Sequence, residues 1–320
     1  MLSFAQTQEK PMPTTLKKFQ AEFTINADID TCWKAWTTNE VLSTWIGSAK
    51  VGNKIGDNYS LTCAIPYISG RHEILDIKPN KLLKLKFFIE GWESELTVEF
   101  KTKEKKTLIK IALNVDTKDA PKSILPLNDL RQFYLIGGSW THAIKRLRCL
   151  LEDGSVGVEM PFRYNNGHNI KLIVDIKATP EKIWTTLTDA KVMQKLDPEF
   201  FTEDTVIEPK VGGAYSYGWY PQGTPEKDLE DGPNKVLKIE KNKLLVHDWY
   251  GGNETAKITW KLETKENGIT RVTFSHSPIL GHTVENVWSY RSGWSGYLYI
   301  MKWYAERDEL EPSWWKMIGR

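Results

Sequence analysis

The sequence predicts an α+β chain of two tandem domains, each an antiparallel curved sheet wrapped around a long C-terminal helix. Three observations carry this. Residues 23–38, FTINADIDTCWKAWTT, return as residues 174–189, VDIKATPEKIWTTLTD, with Ala27 over Ala178 and Trp33 over Trp184, both 151 positions apart. PNKLLKLKF at 79–87 returns as KNKLLVHDW at 241–249, with Asn80 over Asn242, 162 positions apart. Each copy ends in an apolar stripe at helical spacing: Trp140, Ile144, Leu147 and Leu151, then Trp294, Leu298, Met301 and Ala305. Self-similarity at so long a period marks a duplicated domain, and 320 residues is about two domains by length. The expected bounds are 15–153 and 168–311, joined by a linker at 153–169 that carries Asp-Gly and Asn-Gly pairs.

In the first copy Phe19 to Asn26 alternates as a strand. Ala27-Asp28 then opens a helical stretch in which Cys32, Trp33, Trp36 and Val41 share a face. Strand-like runs follow around Asn58 to Ala64, Arg71 to Ile77, Leu82 to Ile89, Ser94 to Lys101 and Leu108 to Val115, an antiparallel meander. KTKEKK at 101–106 falls at a solvated hairpin tip between two of these runs. A helix from about Gly138 to Glu152 closes the unit, its stripe packing on the sheet. Setting Gly212 over Gly52 raises the spacing to 160, so the second copy gains nine residues before its second strand.

Composition narrows the function classes. With 43 Lys+Arg against 41 Asp+Glu, the net charge of +2 creates no global field for nucleic acid or anionic membrane. Cys32, Cys63 and Cys149 lie in no CxxC or Cys/His spacing, so neither a disulfide framework nor a zinc site is expected. No run approaches the roughly 20 apolar residues of a membrane helix, and MLSFAQTQEKPMPTT lacks an apolar core of signal-peptide length. The expectation is a cytoplasmic protein with no membrane insertion, no metal and no cofactor. The 14 tryptophans concentrate apolar area in large rings, which build cores and also line pockets for flat or greasy ligands.

The repeat settles which side chains face inward. Leu83, Leu85 and Phe87 must do so because Lys84 and Lys86 alternate with them. The same phase turns Leu245, His247 and Trp249 inward in the second copy. Aligning KIAL at 110–113 with RVTF at 271–274, a spacing of 161, sets Val115 against His276. Two inward apolar residues of the first copy thus become histidines in the second. A buried imidazole needs hydrogen-bond partners, so the pair implies either internal partners, such as a tyrosine hydroxyl, or a liganded cavity.

The candidate pocket comprises His247, Trp249, Trp260, Phe274, His276, Tyr215, Tyr217, Arg291, Trp294 and Tyr297. Tyr215, Tyr217 and Trp219 alternate on one face, which suits a pocket wall or a sheet cover. Arg291 is expected at the mouth, where a guanidinium meets a carboxylate or phosphate. Strand spacing sets the two histidines about 10 Å apart, too far to share a metal, and no HxH or HExxH pattern occurs. No nucleophile elbow, Gly-rich phosphate loop or inward carboxylate pair appears, so no catalytic residue is assigned.

Trp33-x-x-Trp36-Thr37, the Val51-Gly52 and Val211-Gly212-Gly213 turns, Pro79-Asn80-Lys81-Leu82-Leu83 with its partner, and Gly293-Trp294 together resemble the SRPBCC or START-like helix-grip superfamily. Within it they are most similar to the family named for its likeness to the activator of the heat-shock-protein-90 ATPase. The resemblance covers nearly the whole chain, twice. It departs at the end of the first helical region, where the second copy has Leu196 and the first Trp45. It implies the helix-grip fold and three kinds of function. The leading one is binding of a small hydrophobic or aromatic molecule under the second closing helix. The others are interaction with a chaperone or other protein partner, and cyclase, lyase or hydrolase chemistry using a pocket histidine.

Overall fold

The computed structural model describes residues 17–63, 65, 68–89, 92–115, 130–159, 169–198, 201–218, 234–249, 256–278 and 284–310. The chain divides into two compact units, residues 1–141 and 142–318, and each holds one seven-stranded antiparallel sheet.

The first unit runs β1 (Lys17–Ile25), α1 (Ile29–Thr37), α2 (Asn39–Trp45), β2 (Ser48–Val51), β3 (Asn58–Thr62), β4 (Gly70–Lys78), β5 (Leu82–Ile89), β6 (Trp92–Lys103) and β7 (Lys106–Val115). The strand order is β1-β7-β6-β5-β4-β3-β2: a meander from β2 to β7, with β1 returning beside β7. Asp28, three residues after the end of β1, caps α1 by accepting from the Thr31 backbone N–H. Helix α3 (Leu130–Asp153) spans the division between the units and starts eight residues before the expected Gly138. From it, Trp140 packs against Trp36 and Phe87.

The second unit repeats the plan as β8 (Ile170–Ile176), α4 (Pro180–Thr188), α5 (Ala190–Leu196), β9 (Val206–Ile207), β10 (Ala214–Ser216), β11 (Asn234–Glu240), β12 (Leu244–Asp248), β13 (Lys257–Thr264), β14 (Thr270–Ser277) and α6 (Val284–Arg307). Its order, β8-β14-β13-β12-β11-β10-β9, is that of the first sheet. The chain before β8 is not a free linker. Glu159 forms a bridge with Ile173, and the Val158 carbonyl accepts from Arg146 at 2.9 Å. Residues 160–168 of the expected linker lie outside the described residues.

The two copies share individual hydrogen bonds as well as topology. Thr107 donates to the Ala27 carbonyl at 2.8 Å, and Thr270 donates to the Ala178 carbonyl at 2.7 Å. The Tyr59 hydroxyl reaches the Trp36 carbonyl and the Tyr215 hydroxyl the Leu187 carbonyl, each at 2.7 Å. Asn80 donates to Asp30, and Asn242 to Glu181 at 3.0 Å, tying the β4–β5 and β11–β12 turns to α1 and α4. Both asparagines have positive φ, 59° and 62°, a region that Asn tolerates better than most residues.

These bonds and the strand registers correct two sequence alignments. Gly56 donates to Ile74 as Gly212 does to Val236, so Gly212 matches Gly56, 156 positions away, and not Gly52. Of the expected nine-residue gain, five residues therefore precede β10, and the spacing reaches 162 only at β11. In the β6–β7 hairpin Thr102 pairs with Thr107, whereas Thr264 pairs with Thr270. The second hairpin is one residue longer, not shorter, so His276 matches Leu113 and not Val115. A shift of two residues keeps the face, because side chains alternate with period two. The inward facing therefore survives the wrong partner.

The Asn242 turn gives a direct test. Asn242→Gly removes the bond to Glu181 but keeps a backbone at ease with φ above zero, while Asn242→Ala adds left-handed strain. The Ala variant is expected to be less stable than the Gly variant by about 1 kcal/mol in urea unfolding. Equal midpoints would show that the turn relaxes instead.

Candidate functional site

His247 on β12 and His276 on β14 lie in one row across the sheet, each paired with Ile258 of β13 between them. Both are buried, as are the other eight residues of the candidate pocket. The matching row of the first sheet is Leu85, Leu96 and Leu113. Two of the three positions in this row are therefore polar in the second domain and apolar in the first.

His247 is enclosed by protein partners on both ring nitrogens. Its Nδ1 lies 2.6 Å from the Asp248 carbonyl oxygen, which can only accept, so Nδ1 carries the proton. Nε2 must then accept, and the Tyr217 hydroxyl donates to it at 2.9 Å. The Tyr217 oxygen in turn receives the Trp260 indole N–H at 3.4 Å. Tyr215 stacks on the imidazole, with centroids 4.4 Å apart and planes 17° apart. Burial pushes the His247 pKa down to about 3, although its hydrogen bond to the Asp248 carbonyl acts in the opposite sense. The Tyr215, Tyr217 and Tyr297 phenols are pushed well up, with burial as the largest cause, so each stays protonated. A neutral ring with both nitrogens engaged is a poor general base, since taking up a proton means breaking the Tyr217 bond.

Tyr215 and Tyr297 are scaffold ties. Their hydroxyls donate to the Leu187 and Thr186 carbonyls at 2.7 and 2.5 Å, holding α4 to the sheet and to α6. Phe274 and Trp260 pack on each other and on Trp294. The deep part of the candidate pocket is thus filled by its own rings.

The end of the core nearest the start of α6 differs. His276 accepts from the Trp294 indole at Nδ1, 3.3 Å away. Trp249 lies edge-on to His276, Tyr290 and Trp294, at centroid distances of 5.3, 6.1 and 5.3 Å. Tyr290 touches His276 at 5.2 Å and is only half-buried. This ring cluster runs from the core to the surface. Trp219 lies outside the described residues. Arg291 is buried rather than set at a mouth, and with Arg146 and Lys145 its charge helps hold down the basicity of His142, where burial is the largest cause.

Among the described residues no group of three or more His, Cys, Asp or Glu side chains could hold a metal. The first unit has a buried histidine of its own, His72 on β4. It receives the Phe88 backbone N–H at Nδ1, donates from Nε2 to the Ile68 carbonyl, and stacks on Phe87 at 3.9 Å. Burial takes its pKa to about 4. Its phase was visible in the sequence, since it sits two residues before the inward Ile74, but the matching position of the second copy is Asn234 and histidine-for-apolar comparison passes over it.

These histidines make stability acid-sensitive. A ring whose folded pKa lies below the unfolded value near 6.5 leaves the unfolded chain to take the proton first. Stability is full above about pH 6.5 and falls as the pH drops toward 3 to 4. At pH 5 His247 alone is expected to remove about 2 kcal/mol relative to pH 7.5. Urea unfolding at the two pH values measures this. In Tyr217→Phe/His247→Leu the pH-dependent loss should shrink by about that amount, and an undiminished loss would show that His247 is not held neutral.

Comparison with known proteins places this architecture. The family model described as activator of Hsp90 ATPase homolog 1-like protein matches residues 26–152 and 177–306. Among solved structures, the Aha1 dimer of Colwellia psychrerythraea is 27% identical, with 44% of this chain and 98% of that one covered and a TM-score of 0.35. DynU16, a putative protein of the dynemicin biosynthetic locus, is 16% identical over 90% of this chain and 99% of its own, with a TM-score of 0.35. PFC0360w, an HSP90 activator from Plasmodium falciparum, is 22% identical over 41% and 94%, with a TM-score of 0.32. No curated protein matches. Scores this low carry no weight of their own, and the assignment rests on the family match, which falls on both copies and spans most of the sequence. The chain belongs to the activator of Hsp90 ATPase homolog 1-like family, with the family domain present twice in tandem.

Proposed function

We propose that the second domain takes up a small, flat, apolar molecule at the end of its core, against Trp249, His276, Tyr290 and Trp294. The single observation that carries this reading is the half-exposed Tyr290, in ring contact with both Trp249 and His276. Deeper in the core every ring of the His247 network is already enclosed, so a ligand there would have to break satisfied hydrogen bonds. At the outer end it need only displace one tyrosine ring from an edge-on stack. Aromatic side chains that reach the surface in this way offer a ligand both area and ring geometry. This narrows the pocket expected from sequence to its outer part. The reading is of a binding protein in the cytoplasm, with the thiols of Cys32, Cys63 and Cys149 in keeping with a reducing compartment.

Native mass spectrometry of the freshly purified chain, followed by titration of 2-naphthol against tryptophan fluorescence, tests it. Binding should saturate, and Tyr290→Ser/Trp249→Leu should weaken it about tenfold, the loss of roughly one aromatic contact pair. If no apolar compound is retained and 2-naphthol leaves the fluorescence unchanged, the site does not exist.

A second reading, contact with a protein partner such as a chaperone, is favoured by a different observation. Ile55 and Val211 occupy equivalent turn tips in the two copies, one residue before Gly56 and Gly212, and each is 67% exposed. Two large apolar residues held out at the same place suit paired contacts on one partner. The full chain would then accelerate the ATPase of a heat-shock protein 90, and Ile55→Ser/Val211→Ser would abolish that acceleration without lowering the unfolding midpoint. An unaffected variant would remove the turn tips from any such role.

A further inference from the structure

The two closing-helix tryptophans differ in one respect. In the second domain the Trp294 indole N–H is accepted by His276. In the first domain the position matching His276 is Leu113, whose side chain has no acceptor, and the Nε1 of the matching Trp140 is buried with no hydrogen-bond partner among the described residues. Beside it stands a second indole in the same condition. Trp36, which the second domain replaces with Leu187, is stacked on Trp140 at 6.1 Å with planes 13° apart, and its Nε1 also has no partner. Both residues are 1% exposed.

Among the described residues no side chain stacked on the pair supplies an acceptor. Trp36 is flanked by Trp45 and Phe100, and Trp140 by Phe87. Phenylalanines offer no acceptor, and the Trp45 N–H is itself a donor, already bonded to the Ala35 carbonyl at 2.8 Å. His72, stacked on Phe87, has both nitrogens engaged. Each buried donor left unpaired forfeits the hydrogen bond it made to water, and two side by side in one apolar cluster make a standing demand for an acceptor.

We infer that the first domain binds a small apolar molecule bearing a neutral carbonyl oxygen, which accepts the indole N–H groups of Trp36 and Trp140. A water molecule would accept both bonds but bring two hydrogens of its own into a cluster of rings with nothing to receive them. A carboxylate would bury a charge with no cation among these side chains. A ketone or ester oxygen accepts without donating and carries no net charge, and its apolar body matches the surrounding rings. This inference is independent of the site proposed in the second domain.

The experiment uses the full chain labelled with nitrogen-15, its indole N–H signals assigned with Trp36→Phe and Trp140→Phe. Acetophenone should move both signals and saturate, while ethylbenzene, of similar shape but without the oxygen, should bind about tenfold more weakly or less. Leu113→His supplies Trp140 with the acceptor that Trp294 already has, and should weaken acetophenone about tenfold without altering 2-naphthol binding in the second domain. If Leu113→His fails to fold, Trp140→Phe carries the same expectation: weaker acetophenone, unchanged ethylbenzene. The inference is overturned if acetophenone moves neither signal, if the two probes act alike, or if a water persists at both N–H groups in the presence of acetophenone. Because the Trp249 and Trp294 signals report on the other domain, loss of one site is distinguishable from loss of the other.

Discussion

A polar group taken out of water must find a hydrogen-bond partner, and in this protein that requirement shapes the differences between two copies of one fold. The first sheet solves it by avoidance at three positions: Leu61, Leu85 and Val98 are apolar where the second domain has Tyr217, His247 and Trp260. The second solves it by closure, with Trp260 donating to Tyr217, Tyr217 to His247 and His247 to the Asp248 carbonyl. None of the three polar residues would be tolerated alone, because each would leave a buried donor or acceptor unmet. They make sense only as a set, and closure also fixes the tautomer of His247 and keeps the ring neutral.

The same rule distinguishes scaffold from site. Bonds that recur in both copies, Thr107 and Thr270 to the alanine carbonyls, Tyr59 and Tyr215 to the α1 and α4 carbonyls, hold the helices against the sheet. Tyr215 therefore belongs to the frame, however close it stands to His247. Candidate sites lie where the rule is met only at the edge of the core, at Trp249 and Tyr290, or not met within the protein, at Trp36 and Trp140. The first domain, apolar where the second carries His247 and His276, holds the sharper unmet demand.

Alternation in β5 and β7, the helical stripe on α3 and α6 and the turn asparagines were plain in the sequence, because each depends on local period or backbone preference. Inward facing at positions 247 and 276 was equally legible, since it needs only the phase of a strand. Which residue opposes which was not. Offsets inferred from short matches placed His276 against Val115 and Gly212 against Gly52, and hairpin length decided otherwise. Comparing the copies does not single out His72, because its counterpart, Asn234, is also polar, and the burial of Arg291, expected at a mouth, depends on contacts outside its own helix.

The sequence by itself determined the duplication, the order of elements and which strand residues point inward, because these follow from repetition and from periods of 2 and 3.6 residues. Only the tertiary structure decided whether an inward polar group is satisfied. That depends on where distant atoms lie to within a few tenths of an ångström, across strands and helices far apart in the chain. No pattern in the sequence says that the proton of Trp294 finds a histidine and that of Trp140 finds no acceptor.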